Sequence, residues 1–230
     1  MATFYIVATP IGNLSDITLR AIEVLRSVDL ILAEDTRTAK KLLSHYQIKT
    51  PVASYHQRSR IKKIDYFIFL LEKGKNLALI SEAGTPGISD PGTFLIKEIT
   101  ERLGEKVKIS PLPGPSALTA ILSVADFDVS RFFFLGFFPK KKRKKLFEEV
   151  LNLKRPFVFY ESPYRILKTL RELDFYWREI YAEKSEPKVV LGRELTKKFE
   201  TIYRGGLKKV IGEIEKGEIR GEFVVLVSGP

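Results

Sequence analysis

The sequence predicts an α/β protein of two domains, and three observations carry this prediction. Short apolar segments alternate with amphipathic segments over the first half, as a parallel sheet covered by helices requires. Three prolines within residues 111–115 interrupt that alternation, because proline cannot continue a helix or pair in a central strand. Two neighbouring apolar segments at 189–193 and 201–204 indicate antiparallel pairing. We therefore predict domains over residues 1–112 and 113–230.

Each element of the first half is predicted from its apolar spacing and from the turn residues beside it. Strands are expected over residues 4–8, 30–33, 52–54, 77–80 and 107–110. Helices are expected from residue 19, from a cap at residue 36 to about residue 46, over 61–71, and from the loop at 81–92 to residue 103. Thr18 and Thr36 are the expected N-caps of the first two helices.

The second half combines strands and helices without the regular alternation of the first half. Strands are expected over residues 132–136, 157–160, 189–193, 201–204 and 223–227. Helices are expected over 116–125, 144–151, 163–173 and 207–216. Ser116 and Ser162 are the expected caps, and Pro163 suits the first helical position. This pattern predicts a mixed α/β second domain.

The composition is that of a folded soluble protein and excludes several kinds of site. The chain has 230 residues, 44% of them hydrophobic, and its mean hydropathy is −0.06. No signal-peptide pattern opens it, and no apolar stretch approaches the ~20 residues of a membrane span, so we expect a cytoplasmic protein without a membrane partner. The lack of cysteine excludes disulfides and a catalytic thiol. With His45 and His56 as the only histidines, a three-histidine zinc site is excluded and we expect no metal.

The positive charge is concentrated in one segment of the second half. The net charge is +11, with 39 Lys and Arg against 28 Asp and Glu. Six consecutive basic residues, here called the basic tract, are Lys140, Lys141, Lys142, Arg143, Lys144 and Lys145. Such a run repels itself and needs an anionic partner or open solvent. Nucleic acid binding and a solvated loop are both compatible with it.

Four loops place small or polar residues directly after predicted strands, at 9–16, 34–37, 81–92 and 161–165. In an open α/β sheet, ligands bind outside the carboxyl ends of the strands. The loop at 81–92 holds three glycines, which let a ligand approach the backbone closely. Helix capping is the alternative explanation for the acidic residues at 34–37 and 161–165. No dinucleotide fingerprint or P-loop is present, which disfavours an NAD enzyme or a P-loop NTPase.

Six ordered segments together resemble the ribosomal RNA small subunit methyltransferase I family, over essentially the whole chain. They are YIVATPIGNLSD at 5–16, AEDTR at 33–37, SEAGTPGISDPG at 81–92, LPGPSA at 112–117, FYESP at 159–163 and RELTK at 193–197. The resemblance implies the tetrapyrrole methylase fold, with S-adenosylmethionine (SAM) in the cleft between two α/β domains. It also implies methylation of the ribose 2′-oxygen of a cytidine in the decoding region of 16S rRNA, within the small ribosomal subunit, by a homodimer.

The resemblance also implies site residues. Those expected to bind SAM are Pro10, Ala83, Gly84, Thr85, Ile88, Ser116, Ala117 and Glu161. For the weakly acidic 2′-hydroxyl, the candidate bases are Glu34, Asp35 and Asp90. Arg37 and Lys197 are candidates for stabilising a developing alkoxide or positioning a phosphate. Arg165 and the basic tract are expected to bind RNA.

Three departures from the family pattern and two alternatives accompany this interpretation. Glu82 stands where the family has Asp, Tyr164 stands where it has His and so cannot act as a base, and the basic tract is unusually dense. A methyltransferase of the same fold acting on a tetrapyrrole or other small molecule is one alternative, although the first loop lacks the Gly-rich run of such enzymes. A non-catalytic RNA-binding protein of ribosome assembly is the other.

Overall fold

The computed structural model describes residues 1–56, 61–89, 92–181 and 186–230. It divides the chain into two units, Met1–Ser116 and Ala117–Pro230. The boundary predicted after residue 112 lies just before this division. Each unit contains one five-stranded sheet in its described residues.

The first unit is a parallel sheet with helices on both faces. Its strands are β1 (Ala2–Val7), β2 (Leu30–Ala33), β3 (Val52–Ser54), β4 (Leu77–Ile80) and β5 (Val107–Leu112). Its helices are α1 (Leu19–Ser27), α2 (Thr36–His45), α3 (Ile61–Glu72) and α4 (Gly92–Leu103). The strand order is β3-β2-β4-β1-β5, and every neighbouring pair is parallel. The predicted parallel sheet is therefore confirmed.

Strand β4 shows why both faces must be covered. All four of its side chains are buried. Leu77 and Leu79 pack in a cluster with α3 and α4, whereas Ala78 and Ile80 pack in a second cluster with α1 and α2. Alternate residues of a strand point to opposite faces, so an uninterrupted apolar strand needs a helical layer on each side.

Strand β5 extends further than the sequence predicts. It runs to Leu112, and Pro111 lies opposite Ile6 in the parallel pairing with β1. The predicted end at residue 110 is wrong because β5 is the edge of the sheet. An edge strand tolerates proline, whose missing N–H can face away from the neighbouring strand.

One of the two predicted N-caps of this unit is correct. The Thr18 Oγ1 accepts a hydrogen bond of 3.1 Å from the backbone N–H of Ala21, as predicted. For α2 the prediction is wrong by one residue, since Thr36 is the first helical residue and Asp35 is the cap. Asp35 has extended backbone geometry, and its Oδ1 accepts a hydrogen bond of 2.8 Å from the Arg37 N–H.

The second unit is a mixed sheet. Its strands are β6 (Phe133–Phe137), β7 (Phe157–Glu161), β8 (Lys188–Arg193), β9 (Thr201–Gly206) and β10 (Phe223–Val227). Its helices are α5 (Ala117–Ser123), α6 (Arg143–Asn152), α7 (Ile166–Tyr181) and α8 (Leu207–Lys216). The strand order is β6-β7-β10-β8-β9, with β6 and β7 parallel and the other pairs antiparallel. The predicted antiparallel pairing of β8 with β9 is confirmed.

One large cluster joins this sheet to α6, α7 and α8. Val189 and Leu191 of β8 and Trp177 of α7 are buried in it. Helix α7 begins at Ile166, so the predicted start at Pro163 is wrong. The Ser162 carbonyl accepts hydrogen bonds from the N–H groups of both Arg165 and Ile166, and the first turn is therefore wound more tightly than an α-helix.

Two features are absent from residues 1–56, 61–89, 92–181 and 186–230. No helix there combines the length and the apolar character needed to cross a membrane. No group of three or more His, Asp or Glu side chains there is arranged to hold a metal ion.

Candidate active site

Two loops are fastened together at the carboxyl edge of the first sheet, after β1 and β4. The Thr9 N–H donates to the Gly84 carbonyl at 2.8 Å, and the Gly84 N–H donates to the Thr9 carbonyl at 3.0 Å. The Thr9 hydroxyl donates to the Ser81 carbonyl at 3.1 Å, and the Ser81 hydroxyl donates to the Gly84 carbonyl at 2.8 Å. These four hydrogen bonds make a preformed backbone surface where a parallel sheet binds its ligands.

Glycine is required where a third loop, after β5, approaches this pair. Gly84 has φ +82°, and a Cβ there would lie 3.4 Å from Ile11 Cγ2 and 3.6 Å from the Pro115 carbonyl oxygen. A Cβ on Gly114 would lie 2.9 Å from the Ala8 Cβ. Glycine is therefore favoured at position 84 by its backbone conformation and at position 114 by the closeness of Ala8, and the three loops pack tightly here.

The structure brings the first-unit members of the predicted SAM set to this edge. Pro10 and Gly84 are buried, Thr85 is half-buried and Ala83 is exposed, all beside the Thr9–Gly84 bridge. Ile88 lies further along the same loop and is 40% exposed. Ser116 closes the first unit, and Ala117 begins α5 in the second unit; both are half-buried.

A small surface depression lies beside these loops, at the ends of β2 and β4. Its lining residues are Glu34, Tyr55, Leu79, Ile80, Ser81, Pro86 and Gly92. Glu34 is exposed and is the acidic group of this lining. The predicted candidate base Glu34 thus lies next to the fastened loops.

The carboxylate of the second predicted base, Asp35, forms an ion pair with Arg37. The Arg37 Nε and Nη2 donate to the two Asp35 carboxylate oxygens at 3.1 and 3.0 Å. Hydrogen bonds from the Arg37 side chain and backbone lower the pKa of Asp35 to about 2. The same pair raises the pKa of Arg37, with a smaller contribution from the charge of Glu82. A carboxylate with so low a pKa is a weak base at neutral pH. The third predicted base, Asp90, lies outside the described residues.

Glu161 is buried at the end of β7 with both oxygens engaged. Its Oε1 accepts from Arg165 Nη2 at 2.6 Å and from the Ser162 N–H at 2.7 Å. Its Oε2 accepts from the Thr169 hydroxyl at 2.7 Å and lies 3.9 Å from Arg143 Nη1. These contacts direct the carboxylate into its own unit, and its contact with a cofactor stays a prediction.

One member of the basic tract, Arg143, is largely buried, although the sequence indicates that the whole tract is exposed to RNA or to solvent. The Arg143 side chain is only 12% exposed. Its Nε donates to Glu172 at 2.6 Å, its Nη2 to the Thr169 hydroxyl at 2.8 Å and its Nη1 to the Pro139 carbonyl at 2.9 Å. Hydrogen-bond acceptors from distant parts of the chain draw this one cation inward. The exposed members of the tract are Lys140, Lys141, Lys142, Lys144 and Lys145.

Lys197 is held between two carboxylates in the loop after β8. Its Nζ lies 2.8 Å from Glu194 Oε1 and 3.0 Å from Glu222 Oε2. Burial lowers the pKa of Lys197, but the hydrogen bonds to Glu194 and Glu222 outweigh it, and the net shift of the pKa is upward. Lys197 therefore stays cationic at neutral pH.

The backbone of this loop has a conformation that the sequence does not indicate. Glu194 and Thr196 have φ of +52° and +66°, in the left-handed region that favours glycine. The Thr196 hydroxyl oxygen is buried and has no hydrogen-bond partner in the described part of the chain. Strained backbone of this kind persists where the surrounding structure holds it, and no residue type in RELTK signals it.

Comparisons with known proteins relate the chain to methyltransferases. Residues 3–211 match the family model described as tetrapyrrole (corrin/porphyrin) methylases. A protein of Thermotoga maritima, named ribosomal RNA small subunit methyltransferase I, is 43% identical over 230 residues, which cover 100% of this chain and 99% of that protein. The protein of that name from Bacillus subtilis is 42% identical over 231 residues, covering 100% of this chain and 76% of its own length.

Solved structures share the fold at low sequence identity. A cobalt precorrin-4 methyltransferase of cobalamin biosynthesis superposes with a TM-score of 0.71 at 15% identity, covering 98% of this chain and 94% of its own. A diphthine synthase gives a TM-score of 0.67 at 11% identity, covering 99% and 90%. These similarities establish the architecture.

Proposed function

We infer the function from the family, since the chain belongs to the ribosomal RNA small subunit methyltransferase I proteins, within the tetrapyrrole methylases. The fold class and the family predicted from the sequence are thereby confirmed, and the chain is a methyltransferase. We propose that it transfers a methyl group from SAM to the ribose 2′-oxygen of a cytidine in the decoding region of 16S rRNA. The observation that carries the proposal is the fastened backbone surface at Thr9 and Gly84.

The residues at this edge fit SAM. When bound, the cofactor would supply a methyl group on a cationic sulfonium, which leaves as a neutral thioether. Gly84 and Gly114 leave room for close backbone approach, and the exposed carboxylates of Glu34 and Glu82 complement a positive charge. We propose that Pro10 and the turn at 83–85 form the binding surface with Ile88 and Ser116.

We propose separate roles for the two predicted SAM residues of the second unit, Ala117 and Glu161. Ala117 opens α5, where its small side chain leaves the backbone accessible to the cofactor. Glu161 acts through its neighbours, because its carboxylate fastens the turn formed by Ser162 and Arg165.

The 2′-hydroxyl must lose its proton as the methyl group is transferred. A 2′-hydroxyl is a weak acid, so the reaction needs a base or a nearby cation. We propose that Lys197 stabilises the developing negative oxygen, since its ammonium remains charged at neutral pH. Of the candidate bases Glu34 and Asp35, Glu34 is better suited to accept the proton, because the Asp35 carboxylate is hydrogen-bonded to Arg37.

The proposed substrate form is 16S rRNA in the small ribosomal subunit. The exposed lysines of the basic tract supply phosphate contacts that carry no sequence information. A homodimer in the cytoplasm is part of the same proposal.

Methyl transfer and SAM binding test this proposal. The protein is incubated with SAM carrying a labelled methyl group and with small ribosomal subunits that lack the modification. We expect labelled 2′-O-methylcytidine in 16S rRNA and SAM binding by calorimetry. RNA binding without SAM binding would favour a non-catalytic assembly protein, and SAM binding without RNA methylation would favour a small-molecule substrate. Transfer retained in an Asp35→Asn, Asp90→Asn double variant would exclude both aspartates as the base.

A further inference from the structure

An exposed aromatic side chain ends the edge strand of the second sheet. Strand β6 is the outermost strand beside β7, and Phe137 at its end is 61% exposed. Exposing a ring of this size forgoes the free energy of burying it. An exposed edge strand with apolar side chains is also a liability for self-association. Phe137 therefore calls for a functional explanation.

A β-bulge sets the direction of the Phe137 ring. Phe134 pairs with Val158, but Phe137 pairs with Tyr160, so three steps along β6 match two along β7. Gly136, inside the bulge, has φ +65°. Without a bulge, Phe134 and Phe137 would point to opposite faces; here both rings contact Tyr160, at centroid distances of 5.1 and 5.4 Å. Bulges turn side chains in this way beside functional sites.

The backbone directly after Phe137 is fixed by hydrogen bonds. The Phe138 N–H donates to the Tyr160 carbonyl at 3.0 Å, and the Phe138 carbonyl accepts from Arg165 Nη1 at 3.0 Å. The Pro139 carbonyl accepts from Arg143 Nη1 at 2.9 Å. Both arginines are anchored by Glu161 or Glu172. The ring is therefore presented from a rigid base, which lowers the entropic cost of binding a partner.

The surface that follows is strongly cationic. Lys140, Lys141 and Lys142 are exposed. In the part of the chain that the structure describes, the ion pairs of the basic tract involve Arg143 and Lys144. An exposed ring beside unpaired lysines suits a partner that has both phosphates and free aromatic faces. Single-stranded RNA has both, whereas the bases of a duplex are already stacked.

We propose that Phe137 stacks on an unpaired base of the RNA while Lys140, Lys141 and Lys142 bind the neighbouring phosphates. This inference rests on the proposed function and adds the substrate form, a single-stranded segment. A protein surface that covers Phe137, including a second copy of this chain, is the competing outcome of the test.

Binding of a fluorescein-labelled single-stranded RNA of about 12 nucleotides, measured by anisotropy over a range of salt concentrations, tests the proposal. We expect Phe137→Ala to weaken binding about 5- to 100-fold, the range found when one stacked base is lost, without changing the salt dependence. Phe137→Trp should restore binding. Lys141→Ala should instead reduce the slope of log K against log salt by about 0.7.

Phe175→Ala is the matched control. Phe175 is 57% exposed and packs edge-on against Tyr176, as Phe137 packs against Tyr160, but it lies on α7 away from the basic tract in sequence. Equal RNA affinity of the Phe137→Ala and Phe175→Ala variants would overturn the proposal. A change in sedimentation of Phe137→Ala, with RNA affinity unchanged, would identify a protein interface instead.

The same variants distinguish this inference from the proposed function. If the wild-type protein methylates small subunits and Phe137→Ala binds RNA normally, only the stacking proposal fails. If the wild-type protein transfers no methyl group but Phe137→Ala still weakens RNA binding, the proposed function fails and stacking stands.

Discussion

Arg165 and Glu161 form an ion pair of 2.6 Å in which the carboxylate side chain is completely buried. Arg143 lies on the other side of the same carboxylate at 3.9 Å. Two cations from different segments of the chain therefore lie against one buried anion, and Arg143 also pairs with Glu172. Because the buried Glu161 carboxylate is shielded from water, its contacts with the two arginines connect the basic tract and the turn before α7 to the end of β7.

Removing the Glu161 charge should destabilise the second unit. Glu161→Gln keeps the size of the side chain but leaves the partly buried Arg165 guanidinium without its anion, whereas Arg143 keeps Glu172, and we expect a loss of about 3 kcal/mol. Urea unfolding followed by the fluorescence of Trp177, the only tryptophan and a buried residue of this unit, measures the effect.

Glu148→Gln is the control for this measurement. The Lys144–Glu148 pair is exposed and 3.7 Å long, so its loss should cost less than about 0.5 kcal/mol. Equal unfolding midpoints for the two variants would contradict the role assigned to Glu161.

Arg143 shows what could not be predicted from the sequence. Six adjacent basic residues have the same local pattern, which gives no reason to expect that one of them is largely buried. Glu172 and Thr169, which draw Arg143 inward, lie 29 and 26 residues away along the chain. Local charge spacing carries no information on such partners, whereas apolar periodicity is local and predicted the strands and helices closely.

The loop containing Lys197 likewise combines a feature that the sequence indicates with contacts between distant residues that it does not. RELTK at 193–197 is one of the segments on which the family resemblance rests, and the structure places it at the end of β8 and in the loop that follows. The Glu222 carboxylate that holds Lys197 comes from 25 residues later, and the left-handed backbone of Glu194 occurs at a residue that does not favour it. Such strain is imposed by tertiary contacts, so residue propensities cannot reveal it.

Gly84→Ala should weaken SAM binding, and Gly74→Ala should not. Both glycines have similar positive φ, +82° and +79°, so both substitutions should cost about 1 kcal/mol of stability through backbone strain. Only at Gly84 would the new Cβ approach a neighbour, 3.4 Å from Ile11 Cγ2. We expect the SAM Kd to rise about tenfold for Gly84→Ala, equivalent to one or two lost hydrogen bonds.

Calorimetry with SAM and thermal unfolding measure the two effects separately. Similar losses of stability with equal SAM affinity would show that the turn at 83–85 does not contact the cofactor. A lowered affinity in both variants would trace the effect to general destabilisation.

The Asp35–Arg37 pair should make stability depend on acidic pH. The folded-state pKa of Asp35, about 2, lies below its ordinary value of 3.8. Its contribution is therefore fully present above about pH 4 and is lost as the pH falls from there toward 2. Asp35→Asn keeps an N-cap acceptor but removes the charge, so the difference in Tm between wild type and variant should shrink over this range.

Thermal unfolding at several pH values between 2 and 5 provides the test. Asp16→Asn, in the exposed turn after β1, is the control for a general effect of removing an aspartate. A difference in Tm that stays constant down to the most acidic pH would show that the Arg37 pairing does not lower the pKa of Asp35.

Lys197→Met should lower kcat for methyl transfer while leaving the SAM Kd unchanged. Removing one donor that stabilises a developing oxyanion costs about 100-fold in kcat. Lys197→Arg keeps the charge and should retain most of the activity. The pKa of Lys197 is raised above its ordinary value of 10.5, so its charge is lost only as the pH rises through this higher folded-state pKa. The activity that depends on this residue should therefore not decline between pH 7 and about 9.

Single-turnover methyl transfer to small subunits over that range measures the rate of the chemical step apart from binding. If Lys197→Met were as active as the wild type, Lys197 would have a purely structural role, stabilising the loop between Glu194 and Glu222, and its loss would appear only in the unfolding midpoint.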